Sequence, residues 1–189
     1  MSKGEKAEGA KVASDVNVPS VLNAIKKRAR ELGVKTIVVA STRGDTGVKV
    51  AEAFSGYNVV VVTHSTGFTG ADIQELEVQN RERILKAGGK ILTTTHAFGG
   101  LGRAIRRKLG TYQYDEIVAN TLRIFGQGVK VAVEIALMAA DAGLISLNED
   151  VISIGGTGGG ADTALVLKPA NVQDFFDIKV REIIVKPWL

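Results

Sequence analysis

Hydroxyl, guanidinium and glycine residues that could bind an anion are concentrated in residues 41–47, which read Ser-Thr-Arg-Gly-Asp-Thr-Gly. This segment follows the apolar run 36–40 and precedes a helical pattern. The N–H groups at a helix N-terminus lack intrahelical acceptors, and the helix dipole favours an anion there. The segment therefore predicts a phosphate-binding loop. Its candidate residues are Ser41, Thr42, Arg43, Gly44, Asp45, Thr46 and Gly47.

The same segment differs from a nucleotide-hydrolysing loop. The Gly-Lys-Ser/Thr ending of that motif is absent, which argues against hydrolysis of a nucleoside triphosphate. Asp45 would repel a phosphate placed next to its carboxylate. A structural alternative stays open, in which Asp45 caps the following helix by accepting the N–H of residue 47 or 48.

A second glycine-rich segment spans residues 155–162. Residues 156–161 match the pattern G-x-G-x-x-A, but the dinucleotide-binding turn also needs a helix after the loop. Residues 163–167 instead read as a strand, so the segment is interpreted as a loop between two strands. It either contacts a ligand through backbone N–H groups or is a flexible hairpin. Its candidate ligand-binding residues are Gly156, Thr157, Gly158, Gly159 and Asp162.

Two histidines each follow an apolar strand, at the edge where α/β folds bind ligands. Each could instead be a hydrogen-bonded loop residue. Phe68 and Phe98 occupy equivalent loops, where an aromatic ring covers a flat ligand or plugs the domain surface. No Ser-His-Asp arrangement follows from the spacing, and no catalytic residue or metal ligand is assigned. These loops add His64, Thr66, Gly67, Phe68 and His96 to the predicted ligand site.

The elements that must position these residues alternate between apolar strands and amphipathic helices. Continuous apolar strands in such an alternation predict a parallel sheet covered on both faces, an α/β fold. The predicted strands are residues 36–40, 58–63, 90–95, 150–154, 163–167 and 178–185. Helices are predicted at 19–32, after residue 47, from about 71 to 87, and through most of 103–144.

Length and composition favour one domain over residues 1–189, with a leader at 1–17 and a C-terminal strand extension at 170–189. Hydrophobic residues make up 45% of the chain, which is enough for a core. There are 0 cysteines, no apolar run long enough to span a bilayer, and no recognisable secretory signal. The sequence therefore predicts a cytoplasmic protein without a membrane partner.

The net charge of +4 is mild and suits a small anionic ligand better than a nucleic acid. Arg103, Arg106 and Arg107 share one face of a predicted helix, which is interpreted as a solvated face. An anion site or a subunit contact on that face stays open as an alternative. Aromatic residues suited to base stacking do not interleave with these arginines, so nucleic acid is not expected to be a partner.

The run 36–47, with its following helix and the strand ending Val62-Thr63, resembles the C-terminal α/β domain of pyruvate kinase. Residues 142–145 and 150–156 are similar to the stretch before the last strands of that domain. The resemblance covers residues 18–168. The chain resembles a free-standing form of the domain, such as the small archaeal proteins described as pyruvate kinase α/β domain-like.

This resemblance implies a three-layer α/β/α sandwich with a mostly parallel sheet of order 3-2-1-4-5, whose last strand is antiparallel. In pyruvate kinase the domain is regulatory, and its first loop holds a phosphate of a sugar bisphosphate effector. The matching positions are residues 41–47. The middle helices, the triple glycine and the C-terminal strand depart from the pattern of pyruvate kinase. The resemblance therefore does not imply that this chain binds the same sugar bisphosphate effector.

For the free-standing relatives, the resemblance implies bound flavin mononucleotide (FMN). It also makes a homo-oligomer plausible, because pyruvate kinase uses this domain at a subunit contact; Trp188 could be buried by such a partner. In the implied strand order, the two glycine-rich loops border one crevice. The chain is therefore predicted to bind a phosphorylated small molecule, FMN, in a regulatory or carrier role. A flavin-dependent oxidoreductase with His64 or His96 as proton donor is the alternative, and nucleic-acid binding is a weaker one.

Overall fold

The computed structural model describes residues 18–189, so the leader predicted for residues 1–17 lies outside the described residues. The strands are β1 (Thr36–Ala40), β2 (Asn58–Thr63), β3 (Lys90–Thr93), β4 (Val151–Gly155), β5 (Thr163–Lys168) and β6 (Lys179–Val185). The α-helices are α1 (Val18–Leu32), α2 (Asp45–Ala53), α3 (Val78–Lys86), α4 (Leu101–Leu109), α5 (Tyr114–Arg123) and α6 (Gln127–Asp141). A 3-10 helix spans Val172–Asp177.

These strands form one mixed sheet of order β3-β2-β1-β4-β5-β6. β1 pairs in parallel with β2 and β4, and β2 pairs in parallel with β3. The pairs β4–β5 and β5–β6 are antiparallel. The predicted α/β class and the order 3-2-1-4-5 are confirmed, and the predicted C-terminal strand extends the sheet as its sixth strand.

Helices cover both faces of the sheet. Side chains alternate between the two faces along each strand, so one strand contributes residues to both cores. Ile37 and Val39 of β1 pack in the core beneath α1 and α2, and Val38 packs in the opposite core, with α6. α6 is buried over most of its length, including Leu137, so it is apolar around most of its circumference rather than along one stripe. No helix among residues 18–189 has the length and apolar character needed to cross a membrane.

The helix predicted from about residue 71 to 87 is wrong in its first half, since α3 begins only at Val78. Asp72 has a left-handed φ of 59°. The side-chain oxygen of Gln74 accepts the N–H of Leu76 at 2.9 Å, and such a local side-chain acceptor competes with helical pairing. The N–H of Glu77 donates to the carbonyl of Arg43 at 3.2 Å. Residues 74–77 therefore run as an irregular segment tied to the β1–α2 loop.

Candidate functional site

A crevice of about 630 Å³ opens at the carboxyl ends of β1 and β4. The chain leaves β1 toward β2 on one side, whereas β4 lies on the other side, so this is the switch point where open α/β sheets bind ligands. The volume falls in the usual range for small-molecule sites. The predicted site residues that line it are Ser41, Thr42, Arg43, Asp45, Thr46, His64, Gly156, Thr157, Gly158 and Gly159.

Other predicted residues lie outside this crevice. Gly67, Phe68 and His96 line a smaller cavity of about 170 Å³. His64 lines the crevice, and its ring packs against two rings of the smaller cavity, with its centroid 4.1 Å from that of Phe68 and 5.4 Å from that of His96. The residues that line neither cavity are Gly44, Gly47, Thr66 and Asp162.

The start of α2 is organised by Ser41 and Gly44 rather than by Asp45. The Ser41 hydroxyl oxygen accepts the N–H of Gly47 at 3.0 Å, and the helix has no side-chain cap from Asp45, so the structural alternative in which Asp45 caps the helix is wrong. Gly44 has a φ of 101°, and a Cβ there would lie 2.5 Å from the Cβ of Asn80. Both the backbone conformation and the close approach of α3 therefore require glycine at this position.

Asp162 shapes the second glycine-rich loop from within. Its Oδ2 accepts the N–H of Thr157 at 2.9 Å, and its Oδ1 accepts the hydroxyl of Thr163 at 2.7 Å. Both carboxylate oxygens are thus used to close the loop. Gly158 and Gly159 are exposed at the tip, where a Cβ would meet no atom within 4 Å. The loop consequently presents backbone, rather than its carboxylate, to the crevice.

Sequence reasoning missed Glu75, which lines the crevice beside His64. Glu75 Oε2 lies 2.8 Å from His64 Nδ1, and the Thr42 hydroxyl oxygen lies 3.4 Å from His64 Nε2. The structure thus assembles a hydroxyl–imidazole–carboxylate chain that the spacing did not predict. No periodic signal pointed to Glu75, because the segment that carries it belongs to neither a helix nor a strand.

The loop after β3 is anchored by a buried ion pair on α6. Lys130 and Glu134 form this pair with side chains only 5% and 6% exposed. Glu134 Oε1 also accepts the N–H of Phe98 at 3.0 Å. Phe98 is itself buried and packs in the core, so it plugs the domain surface, which is one of the two roles considered for it. Burial lowers the pKa of Lys130 from its usual value, against the attraction of Glu134.

His96 supports a prediction about pH and stability. Burial lowers its pKa below the usual value of 6.5, with Glu134 opposing and His64 adding to the shift. As the pH is lowered below about 6.5, the His96 imidazole takes up a proton more readily in the unfolded chain than in the folded chain. The free energy of unfolding therefore decreases as the pH falls, until the pH passes the pKa of His96 in the folded state. We expect the free energy of unfolding, measured in urea between about pH 7.5 and 5.5, to fall less in His96→Asn than in the wild type. Equal pH dependence in the two proteins would contradict this.

The arginines of α4 do not form the uniformly solvated face that the spacing predicted. The Arg106 Nε donates to Glu116 at 2.7 Å. The Arg103 guanidinium lies 5.0 Å from the centre of the Phe68 ring, and both Arg103 and Arg107 line the smaller cavity. Arg103 and Arg106 therefore contact other side chains of the same molecule, Phe68 and Glu116 respectively.

The structure is an α/β domain with a crevice at the switch point of its sheet, and the donors that line this crevice are mostly backbone groups and hydroxyls. Within residues 18–189, no group of three or more His, Cys, Asp or Glu side chains could hold a metal ion. The family described as "Pyruvate kinase, alpha/beta domain" matches residues 19–167. The chain belongs to this family.

Solved structures that this chain resembles include two of pyruvate kinase from Cryptosporidium parvum. One, in complex with ADP, is 14% identical with a TM-score of 0.41, and the match covers 83% of this chain and 24% of that one. An O-ureido-L-serine synthase is 17% identical with a TM-score of 0.30, over 65% of this chain and 46% of the other. The chain therefore spans 24% of the length of the pyruvate kinase it matches.

Proposed function

We propose that the crevice binds a phosphorylated small molecule, FMN, and that the chain serves as a regulatory or carrier domain. The observation that carries the proposal is the meeting of two glycine-rich loops, 41–47 and 156–160, across one crevice at the N-terminus of α2. Both loops offer backbone N–H groups, which suit a phosphate.

The phosphate would lie against the first turn of α2. Ser41 already accepts the N–H of Gly47, and in the part of the chain that the structure describes the N–H groups of Asp45 and Thr46 have no acceptor. The hydroxyls of Thr42 and Thr46 line the same wall. These neutral donors would make the principal phosphate contacts.

Arg43 would play a secondary part. Its guanidinium lies 3.8 Å from Asp45 and 3.6 Å from Glu77, and its side chain is 67% exposed. These carboxylates offset its charge, and solvent screens the remainder. The proposal therefore depends on the helix N-terminus more than on the arginine.

Other parts of the crevice lining would suit the remainder of FMN. Val131 and Ala40 provide apolar wall, and the His64 imidazole provides a flat polar edge. Thr157 and the glycines that follow it present main chain rather than bulky side chains, so a ring system can approach closely. A bound flavin would supply electron-transfer chemistry, and these residues would hold it.

A comparison of FMN with riboflavin tests the proposal, because riboflavin lacks the phosphate. Titration of flavin fluorescence is expected to show FMN binding at least about tenfold more tightly, and inorganic phosphate should compete with FMN. Equal affinity for the two flavins would contradict the phosphate site. Absence of binding by both would refute the proposed ligand.

A charge reversal at the helix start gives a sharper prediction. Thr46→Glu places a carboxylate beside the proposed phosphate while suiting the first turn of a helix. We expect FMN affinity to fall at least about tenfold, because two like charges a few ångströms apart repel by about 1 to 4 kcal/mol. The matched control is Thr121→Glu, the same substitution on the exposed face of α5. Equal FMN affinity in the two variants would contradict the site.

The oxidoreductase alternative draws on the ring cluster of His64, Phe68 and His96 beside the crevice. An imidazole near a flavin could donate a proton during reduction. Addition of a reduced nicotinamide cofactor should then bleach bound FMN, and His96→Ala should abolish bleaching without abolishing binding. If the absorbance of bound flavin does not change when the reduced nicotinamide cofactor is added, the oxidoreductase alternative is contradicted and the regulatory or carrier role is favoured.

A further inference from the structure

We propose that Thr42, His64 and Glu75 form a hydroxyl-activating relay, and that the crevice hydrolyses carboxylic esters through an acyl intermediate on Thr42. The inference goes beyond the proposed binding function and does not require a phosphorylated ligand. It rests on three side chains that converge from separate segments: the β1–α2 loop, the end of β2, and the irregular segment before α3.

The order of contacts is that of a nucleophile, a base and an orienting acid. Glu75 Oε2 lies 2.8 Å from His64 Nδ1, so the carboxylate favours a proton on that nitrogen. Nε2 is then left with a lone pair that faces the Thr42 hydroxyl at 3.4 Å. A contact of this length is loose for a hydrogen bond, but catalytic contacts are often long without substrate and tighten in its presence.

Glu75 is held in place by contacts on both sides of it. The Gln74 side-chain N–H donates to the carbonyl of His64 at 3.1 Å, and the Gln74 side-chain oxygen accepts the N–H of Leu76. The N–H of Glu77 donates to the carbonyl of Arg43, which follows the nucleophile in the chain. The segment that carries Glu75 is therefore tied both to the base and to the loop of the nucleophile.

The imidazole ring is also restrained. The Phe68 ring lies 4.1 Å away at an angle of 33°, and the His96 ring lies 5.4 Å away, edge to face. The Glu75 carboxylate and the His96 imidazole both lie close to the His64 ring, and burial lowers the pKa of His96. The Arg103 guanidinium lies over the Phe68 ring that packs against His64, and Arg43 and Asp45 line the same crevice. Positioned rotamers of this kind are what a catalytic constellation requires.

The lining of the crevice suits attack on an ester carbonyl. Asp45 and Glu75 both line it, and neither carboxylate repels an uncharged ester. An ester carbonyl is neutral and develops a single negative charge as it is attacked. The unpartnered N–H groups of the first turn of α2 line the same wall and would stabilise that charge.

The reaction balances with water as the only co-reactant. The Thr42 oxygen forms a bond to the acyl carbon, its proton passes to His64 Nε2, and the bond from the acyl carbon to the alkoxy oxygen breaks. His64 gives the proton to the departing alcohol. Water then attacks the acyl carbon, His64 accepts a proton from it, and the Thr42 oxygen leaves and takes the proton back as the carboxylic acid departs.

A fluorophosphonate probe, used in phosphate-free buffer, tests the relay on the intact chain. An activated hydroxyl attacks phosphorus and displaces fluoride, while its proton passes to the base. We expect peptide mass spectrometry to place the label on Thr42, and p-nitrophenyl acetate to add an acetyl group at the same residue. A wild-type protein that is unlabelled, or labelled only elsewhere, would overturn the proposal.

Variants separate the relay from a merely reactive surface hydroxyl. Thr42→Val should abolish labelling at this peptide and Thr42→Ser should retain it. His64→Gln, which preserves polarity and approximate size, should slow labelling at least about 100-fold. The control Thr121→Val removes a hydroxyl from exposed α5 and should leave the rate unchanged. Unchanged labelling of Thr42 in His64→Gln would overturn the relay.

Glu75 is a positioning residue, and its test separates orientation of the base from binding of the probe. Glu75→Gln should slow labelling at saturating probe about 100-fold or more, because an amide no longer favours the proton on His64 Nδ1. The probe concentration that gives half the maximal rate should stay nearly unchanged. An unchanged rate, or a loss confined to probe affinity, would contradict its role. FMN titration of the same variants reports on the binding proposal separately, so either can fail without the other.

Discussion

Glu134→Gln is expected to lower the free energy of unfolding by about 3 kcal/mol, because it leaves the buried Lys130 ammonium without its counter-charge. Both side chains are almost fully buried, and burial already lowers the pKa of Lys130. The same carboxylate accepts the N–H of Phe98, so the substitution also weakens the anchor of the loop after β3. Urea unfolding followed by circular dichroism measures the change.

The control for this prediction is an exposed ion pair. Glu52 pairs with Arg83 at 2.7 Å, but the two side chains are 50% and 57% exposed. Glu52→Gln should change stability by less than about 1 kcal/mol. If the free energy of unfolding falls no more in Glu134→Gln than in Glu52→Gln, the prediction is contradicted. Such a result would show that the buried Lys130 loses its proton at little cost.

A double substitution separates charge from hydrogen bonding at the same place. Lys130→Met with Glu134→Leu removes both charges and keeps apolar volume, which often restores stability. In the double variant the N–H of Phe98 would lack a side-chain acceptor altogether, at a cost of about 1 to 3 kcal/mol. We therefore expect the double variant to be more stable than Glu134→Gln. A double variant less stable than Glu134→Gln would show that the pair contributes more than charge compensation.

Gly155→Ala is expected to destabilise the protein by about 3 kcal/mol, at the upper end for overpacking. A Cβ at this position of β4 would lie 2.2 Å from the carbonyl oxygen of Gly128 and 3.1 Å from the backbone N of Ala132, both on α6. Backbone cannot rotate away as a side chain can. The buried helix α6 must therefore move as a unit from the sheet.

This displacement should also affect the crevice, because Gln127 and Val131 of α6 line it. FMN affinity is thus expected to fall together with stability in Gly155→Ala. Gly158→Ala is the control for stability, since a Cβ there meets nothing within 4 Å and should change the free energy of unfolding by less than about 0.5 kcal/mol. Comparable urea midpoints for the two variants would contradict the predicted close packing of α6 on β4.

Local patterns predicted the elements well where one face or one strand is uniformly apolar. The runs containing Val38 and Val60 are continuous and β-branched, which is why both were recognised as buried strands. The segment before α3 was misread because Ile73 and Leu76 keep a helical spacing. The hydrogen bond from Leu76 to Gln74 and the positive φ of Asp72 end that pattern.

The candidate site was predictable only in part. Glycine and hydroxyl residues after β1 and β4 identified the two loops, because helix starts and tight loops leave backbone donors open. The partner of His64 was not predictable, since Glu75 reaches it through an irregular segment rather than at a helical or strand spacing. A cap by Asp45 was the structural alternative considered for this loop, but Ser41 provides the oxygen that accepts the N–H of Gly47, from further back in the chain.

The amino-acid sequence alone determined the α/β alternation, the glycine-rich loops and the absence of thiol chemistry, because periodicity and residue type act over a few neighbouring residues. Only the tertiary structure brought Thr42 to His64, which lies 22 residues away, and Phe98 to Glu134, which lies 36 residues away. Such contacts depend on the path of the backbone between elements and on which side chains that path leaves buried. Both the relay and the buried ion pair are consequences of packing.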